Sequence, residues 1–254
     1  MARTDFHTPR LYVSAPLAEG GALALSLEQT NYLVNVLRLG PGARVLVFNG
    51  RDGEFAASLA TVARKVATLS VCAQTRPQET PPDVDYLFAP LKHARLDYMA
   101  QKAVEMGARR LIPVATRRTQ VAHLNLERLK ANALEACEQC GVIWTPEVMP
   151  LEPLDKALAA WPAERLLVFC DEDAPQENPL DELMAARTSG GVGLLIGPEG
   201  GFDERERAEI LALPHVVRLS LGPRVLRADT ASVAALAIIQ ATIGDWPKSI
   251  RNQR

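Results

Sequence analysis

Three near-continuous apolar runs in the second half of the chain limit the fold more than any other feature of the sequence. They are LLVFC (166–170), VGLLIG (192–197) and VVRLSLG (216–222). A strand that is buried on both faces shows this pattern, whereas a strand with one wet face alternates apolar and polar residues. Strands buried on both faces are typical of a parallel sheet covered by helices, so the runs predict an α/β domain.

Helical segments separate the strands of this domain. Two earlier strands, YLFAPL (86–91) and LIPVA (111–115), are each followed by an apolar stripe at helical spacing. The two stripes are Leu96, Met99, Ala103 and Met106, and then Leu126, Leu129, Ala133 and Cys137. We expect Asn125 to cap the second of these helices. Residues 230–243 are apolar almost all round, which predicts a helix covered by the core or by a partner chain.

The first 75 residues have a different pattern. RVLVFNG (44–50) ends in an Asn-Gly turn signal before EFAASLATV (54–62), and EQTNYLVNVLRLG (28–40) predicts one short helix. Several short strands with turns and one helix indicate a small β-barrel. A polar, proline-bearing stretch then predicts a domain boundary. We therefore expect three segments: a barrel domain over 1–75, a linker over 76–83 and an α/β domain over 84–254.

The composition argues against several broad classes of protein. The formal net charge is −2, so we do not expect the chain to coat nucleic acid by bulk charge, although a local basic face is compatible with that sum. The sequence has no apolar run of the length that a membrane span needs, and its first residues lack the apolar region of a secretory signal. Four cysteines in 254 residues do not make a disulfide framework. We expect a cytoplasmic protein.

The most informative local feature is LLIGPEGGFDERE (194–206), where a buried strand runs into a glycine-rich loop. Glycine lets a backbone approach a ligand closely, and loops at the carboxyl ends of parallel strands form the binding sites of α/β sheets. Glu199 would repel a phosphate but would suit a cationic sulfonium or ammonium group. Asp203 and Glu206 have the spacing of a capping box. A tight strand-to-helix turn with no ligand is the alternative reading.

A second loop of the same type lies in LSLGPRVLRADTAS (219–232). Arg224 and Arg227 follow its Gly-Pro pair, and we expect Asp229 to be the N-cap of the next helix. Because both loops follow strands of the same sheet, we expect them to form two walls of one pocket.

The cysteines and histidines do not show the pattern of a reactive or metal site. Cys137 and Cys140 have the spacing of a redox pair or of half a zinc site, but the sequence has no second pair at a suitable distance. Both lie near a helix C-terminus, where the dipole disfavours a thiolate, so we expect core packing. The four histidines are His7, His93, His123 and His215. Their spacing is not that of metal ligands, and no metal is expected.

Together, the loops IGPEGGF (196–202) and LGPRVLRADTA (221–231) resemble the paired signature of the SPOUT class of methyltransferases. More narrowly, the chain resembles the family of 16S ribosomal RNA (uracil-N3)-methyltransferases. Further matches are PRLYV (9–13), VLRLGPG (36–42), QKAVEMG (101–107) and EACEQCG (135–141). The resemblance implies a PUA-like barrel before a trefoil-knotted α/β domain, S-adenosylmethionine as cofactor, 16S ribosomal RNA within the small subunit as partner, and a homodimer.

The resemblance also implies roles for particular residues. The cofactor site would be formed by Leu195, Gly197, Pro198, Glu199, Gly200, Leu221, Gly222, Val225 and Leu226. Arg227 and Arg10 would stabilise the negative charge on a uracil that loses its N3 proton, and Glu199 or Asp229 would accept that proton. Contacts to RNA would come from Arg10, Arg38, Lys92 and Arg117, for which ordinary surface charge is the alternative.

The sequence departs from the family pattern at two places, and two other functions are compatible with it. Val142 stands where the family usually has an arginine, and residues 227–230 read R-A-D-T where the family often has R-T-E-T. Another SPOUT methyltransferase, acting on a different RNA or on a ribose 2′-hydroxyl, would share most of these features. A non-catalytic RNA-binding protein of ribosome assembly would share them too, although it would not need the pocket glycines.

Overall fold

The structure is a computed structural model that describes residues 5, 7–63, 66–92, 94–121, 123–175, 178–186 and 190–246. His93, one of the four histidines considered above, lies outside these residues. The chain divides into two compact units. The first contains residues 1–80 and 134–145, and the second contains 81–133 and 146–254. The return of 134–145 to the first unit was not anticipated from the sequence, because a single helix runs through residue 134.

A five-stranded sheet forms the first unit. Its elements are β1 Arg10–Tyr12, β2 Ala22–Ala24, α1 Leu27–Thr30, a π-helical turn Asn31–Val36, β3 Arg44–Phe48, β4 Glu54–Val62 and β5 Ala67–Arg76. The strand order is β1-β3-β4-β5-β2, and only the β1–β3 pairing is parallel. The predicted hairpin is confirmed at Asn49-Gly50: the Asn49 side chain accepts two backbone N–H groups, and Gly50 has a φ of 79°.

The predicted helix over 28–40 is shorter and less regular than expected. It begins at a capping box between Ser26 and Gln29, widens into the π-helical turn, and ends at Leu37. Arg38 then takes a φ of 57°, a left-handed conformation that a side chain disfavours and that turns the backbone out of the helix. The uniform helical periodicity of the sequence carried no signal for this change.

A parallel sheet forms the second unit, as predicted. Its elements are β6 Val84–Phe88, α2 Ala94–Glu105, β7 Arg110–Ala115, α3 Leu126–Cys140, β8 Glu147–Val148, β9 Glu152–Pro153, α4 Leu154–Ala159, β10 Leu166–Cys170, α5 Pro179–Ala185, β11 Val192–Ile196, α6 Glu204–Leu211, β12 Val216–Leu219 and α7 Ala228–Thr242. The strand order is β12-β10-β11-β6-β7-β8, with β9 also paired to β7, and the pairings are parallel. The α/β class is confirmed.

Helices cover both faces of this sheet. On one face, Leu87, Leu195 and Phe169 pack against residues of α4 and α6. On the other face, α2 and α7 pack together, and the buried Tyr86 hydroxyl lies 2.5 Å from the Ser232 hydroxyl of α7. Burial raises the pKa of Tyr86, so its hydroxyl stays protonated and anchors the first turns of α7. The described helices include none long and apolar enough to cross a membrane.

Two sequence expectations need correction here. The run 216–222 is not a strand buried on both faces: β12 pairs with β10 alone, and three of its four residues are only half-buried. Asp229 is not the N-cap of the last helix, because α7 begins at Ala228 with Arg227 as its N-cap. The Asp229 carboxylate instead accepts the backbone N–H of Thr230 within the first turn.

Candidate functional site

The carboxyl ends of three adjacent strands surround one cavity. In the sheet, β10 lies between β11 and β12, so the segment after β10 separates the loops that follow the other two strands. The first loop covers residues 196–202 and the second covers 220–227, and both line a cavity of about 340 Å³. This volume lies within the usual range for small-molecule sites. The expectation that the loops form two walls of one pocket is therefore met.

The first loop is closed by contacts of its own residues. A Cβ at Gly197 would lie 2.5 Å from the Phe202 ring, which itself packs edge-on against Phe169. Gly201 has a φ of 69°, and its N–H donates to the Pro198 carbonyl at 2.9 Å. Glycine is needed at 197 because an aromatic ring occupies the space of a side chain, and at 201 because of the left-handed backbone.

A capping box holds the helix that follows the first loop, as the sequence predicted. The Asp203 side chain accepts the backbone N–H of Glu206, and the Glu206 side chain accepts that of Asp203. The hydrogen bond from the Glu206 backbone is the main reason why the pKa of Asp203 is lowered. The end of the first loop is therefore fixed to α6.

Most residues assigned to cofactor binding do line the cavity. They are Gly197, Pro198, Glu199, Leu221, Gly222, Val225 and Leu226. Leu195 and Gly200 are not among the lining residues. Leu195 belongs to β11 and is fully buried in the core, and the Cα of Gly200 lies against the side chain of Arg118, whereas Gly201 lines the cavity in its place.

Arg227 and Glu199, the charged residues to which we assigned catalytic roles, both line the cavity but differ in their partners. Arg227 is exposed and lines the cavity, next to the first turn of α7. Glu199 also lines the cavity, but Arg95 lies 3.3 Å from its carboxylate. Within the described residues no ion pair joins Arg227 to either neighbouring acid, Glu199 or Asp229.

An acidic segment after β10 was missed as part of the site. Asp171 is buried at 5% exposure and accepts from Arg207 at 2.9 Å and from Arg218 at 2.8 Å. Arg207 also pairs with Asp173 at 2.6 Å. Glu172, between these two acids, lines the cavity beside Gly201. The run Asp-Glu-Asp directly after a buried strand was the signal that could have revealed this segment.

Cysteine chemistry finds no support in the structure. Burial raises the pKa of Cys170, which lines the cavity, to about 12. Burial also raises the pKa of Cys137 to about 12, and its Sγ lies 3.6 Å from the Trp144 carbonyl oxygen. Thiols with such pKa values are not thiolates at neutral pH. The core-packing role predicted for Cys137 is confirmed, while Cys140 is half-buried.

The roles expected for Arg10 are corrected by its surroundings. Arg10 is buried at 5% exposure, and its Nε donates to the Glu54 carboxylate at 2.7 Å. Its other nitrogens donate to the carbonyl oxygens of Glu138 and Asp5. A guanidinium at 5% exposure that is paired inside the first unit is poorly accessible to a phosphate or to an anionic base. The surroundings of Arg10 thus favour a structural contribution to that unit.

The other three basic residues assigned to RNA are accessible. Arg38 and Lys92 are exposed, and Arg117 is exposed while its Nε lies 3.1 Å from Asp203. The departure at Val142 also has a place in the structure, since Val142 and the following Ile143 are buried. Apolar side chains packed in the interior thus occupy the position where the family pattern has an arginine.

Comparisons with known proteins agree with this architecture. A family described as RNA methyltransferase domain matches residues 78–240, and one described as RNA methyltransferase PUA domain matches residues 26–72. A ribosomal RNA small subunit methyltransferase E from Synechocystis is 30% identical over 237 residues, which cover 92% of this chain and 78% of that protein. The chain belongs to the ribosomal RNA small subunit methyltransferase E family.

One further relative and two solved structures support the assignment. The enzyme of Rickettsia conorii is 27% identical and covers 91% of this chain and 94% of its own length. The crystal structure of a methyltransferase E from Neisseria gonorrhoeae bound to S-adenosylmethionine has a TM-score of 0.84 at 29% identity and covers 94% of this chain and 100% of that one. A Legionella pneumophila methyltransferase in complex with the same cofactor has a TM-score of 0.78 at 29% identity and covers 92% and 98%. The PUA-like first unit and the SPOUT-type second unit are thus confirmed.

Proposed function

We propose that this protein transfers the methyl group of S-adenosylmethionine to N3 of a uridine in 16S ribosomal RNA. The observation that carries the proposal is the single cavity formed by the two glycine loops at the carboxyl ends of β11 and β12. Membership of the methyltransferase E family supports the reaction class, and the cofactor present in the Neisseria and Legionella structures supports the ligand. The N3 atom and the 16S molecule are part of the proposal.

The cavity has the chemistry that S-adenosylmethionine requires. Apolar side chains such as Leu221 and Leu226 can cover an adenine ring, and the glycines of both loops allow close approach of the backbone. The carboxylates of Glu172 and Glu199 favour a ligand with positive charge. Arg207, a cation on the lining, is paired with Asp171 and Asp173, so it adds little net positive charge to this side of the cavity.

The residues around the cavity would act mainly by positioning and by charge. When bound, the cofactor supplies an electrophilic methyl group on its sulfonium. The protein must hold the acceptor base extruded from its stack, with N3 in line with that methyl group. Loss of the N3 proton leaves negative charge on O2 and O4 of the uracil. The exposed guanidinium of Arg227 at the cavity edge is the group that we propose to stabilise this charge, with Glu199 or Asp229 accepting the proton.

RNA binding is proposed to involve both units. We assign the RNA-binding role of the first 75 residues to the exposed Arg38, and the corresponding role in the second unit to Lys92 and Arg117. Each of these cations can release counterions from a phosphate backbone, which makes the interaction salt-dependent. A substrate within the small ribosomal subunit would place the protein in the cytoplasm.

A homodimer is the proposed assembly. Val225 in the second loop is 92% exposed, which is unusual for a branched apolar side chain. Helix α7 keeps Val233, Ala237 and Ile238 only half-buried on the face that its core contacts leave open. A second copy of the chain would cover this apolar surface.

The proposed reaction is tested by product analysis. The protein is incubated with labelled S-adenosylmethionine and either isolated small ribosomal subunits or protein-free 16S RNA, and the RNA is then digested to nucleosides. The expected product is N3-methyluridine. A methyl group on a ribose, on another base or on another RNA would instead indicate a different SPOUT activity. Cofactor binding without methylated product from either substrate would support a non-catalytic role.

A further inference from the structure

Arg118 contacts the first loop at a residue that faces away from the cavity. Its Nη1 donates to the Gly200 carbonyl oxygen at 2.5 Å. Its aliphatic stem lies over the same residue, because a Cβ at Gly200 would be 3.4 Å from both Cβ and Cδ of Arg118. Arg118 thus packs along Gly200 at ordinary contact distance, and Gly200 itself is not among the residues that line the cavity.

The contact fixes a peptide group that shapes the cavity wall. The carbonyl that Arg118 binds belongs to the peptide between Gly200 and Gly201, and the N–H of the same peptide donates to the Pro198 carbonyl. Gly201 lines the cavity. Arg118, which does not line the cavity itself, therefore holds the orientation of a peptide group in the cavity wall.

The segment that carries Arg118, residues 116–119 after β7, is itself attached to the end of the first loop. The backbone N–H of Arg117 donates to the Glu206 carboxylate at 2.7 Å, and its Nε lies 3.1 Å from Asp203. A turn between Thr116 and Thr119 closes the segment. A shift of residues 116–119 would therefore also displace the end of the first loop, through the contacts of Arg117 with Asp203 and Glu206.

The guanidinium of Arg118 has donors to spare. It carries five N–H groups, and in the part of the chain that the structure describes only the Gly200 carbonyl accepts from it. The side chain is exposed and lies next to Arg117, one of the proposed phosphate contacts. A phosphate oxygen could take the remaining donors while the bond to Gly200 is kept, because the guanidinium presents its donors in a planar fork.

We propose that Arg118 is a positioning residue that couples RNA binding to the cofactor loop. A phosphate held by its free donors restricts the side chain to the conformation that binds Gly200, so bound RNA stabilises the cavity wall. By thermodynamic linkage, bound cofactor then strengthens RNA binding by the same factor. This inference rests on the proposed function, because it requires both a cofactor in the cavity and an RNA acceptor.

The coupling is measured by equilibrium dialysis of labelled S-adenosylhomocysteine, which cannot react, with and without isolated small ribosomal subunits. For the wild type we expect binding to be on the order of fivefold tighter with subunits. Arg118→Met keeps the stem but has no donor, so the ratio of the two Kd values should fall to about one. Arg118→Lys keeps a charged donor and should restore part of the ratio. Arg128→Met, which removes an exposed arginine paired with Asp97 outside the cavity lining, should match the wild type.

The outcomes separate this inference from the proposed function. A wild-type ratio of one with measurable binding, or an Arg118→Met ratio equal to that of the wild type, would overturn the coupling and leave the cofactor site intact. Failure of the wild-type chain to bind S-adenosylhomocysteine at all would overturn the proposed cofactor site, and the coupling with it. Thermal melting of Arg118→Met and Arg118→Lys beside the wild type shows that each ratio refers to folded protein.

Discussion

The two glycine loops that form the cavity differ in how they are held. The loop over 196–202 has an internal hydrogen bond, an aromatic ring packed on Gly197, and side-chain contacts from Arg95 and Arg118. For residues 221–226, by contrast, the described structure contains no hydrogen bond to any other residue. Similar sequence signals therefore encode one wall that contacts within the unit hold in place and one wall whose residues 221–226 make no hydrogen bond in the described structure.

The difference between the two loops suits two different roles in the proposed reaction. Preorganised groups bind a ligand without first paying an ordering cost, so the first loop suits the constant part of the reaction, the cofactor. The second loop carries Arg227 and the exposed Val225, which are the residues proposed to meet the acceptor base and the second copy of the chain. Its shape would be completed when these partners are present.

The largest effect is expected from Arg227→Ala. Removal of a positioned charge that stabilises a developing anion should lower kcat by about 10²-fold, while the cofactor Kd stays near that of the wild type. Single-turnover kinetics and calorimetry measure the two quantities. Arg224→Ala is the matched comparison in the same loop and should lower kcat less. A weakened cofactor Kd with an intact kcat would show that Arg227 braces the loop instead.

Gly197→Ala tests whether the first loop is more tightly packed than the second. The new Cβ would clash with the Phe202 ring, which the core does not allow to move freely, and such overpacking costs about 1–3 kcal/mol. We expect a cofactor Kd that is roughly tenfold weaker and a lower melting temperature. At Gly222, a Cβ has no atom within 4 Å, although its φ is 95°. A side chain at this φ is strained, but residues 221–226 make no hydrogen bond in the described structure and can relax around it. Gly222→Ala should for that reason have the smaller effect on melting, and equal losses in the two variants would remove the distinction between the loops.

A smaller effect is expected from Val225→Glu. A carboxylate on the proposed dimer surface should weaken self-association about tenfold, because burying an unpaired charge is costly. Light scattering over a range of concentrations measures the shift from dimer to monomer. The melting temperature should change little, since Val225 makes few contacts within its own chain. A wild-type protein that is monomeric at micromolar concentration would contradict the dimer before the variant is made.

The sequence was most informative where local and global signals agreed. The apolar runs at 166–170 and 192–197 predicted buried parallel strands, and the Gly-Pro steps after β11 and β12 predicted the cavity walls. Asn125 does accept the backbone N–H of Arg128 at the start of α3, as its position suggested. Each of these features depends on residues close in the sequence, which is why they could be inferred.

Features that depend on distant partners were not predictable. Arg10 and Glu54 are 44 residues apart, and no local pattern indicates that they pair in the interior. The same holds for Arg118 and Gly200, which are 82 residues apart. Strand order was also hidden in the sequence, so the run 216–222 was expected to be a strand buried on both faces, although β12 pairs with one strand only and is mostly half-buried. Contacts made by the tertiary fold determine these cases.

Hydrogen–deuterium exchange with and without S-adenosylhomocysteine observes both walls of the cavity in one experiment and so tests the difference between them. Without ligand, we expect slow exchange at the Gly201 amide, which donates to Pro198, and fast exchange over residues 221–226. With ligand, exchange over 221–226 should slow markedly, while Gly201 changes little. Equally fast exchange in both loops, or a second loop that the ligand leaves unchanged, would show that the two walls do not differ in this way.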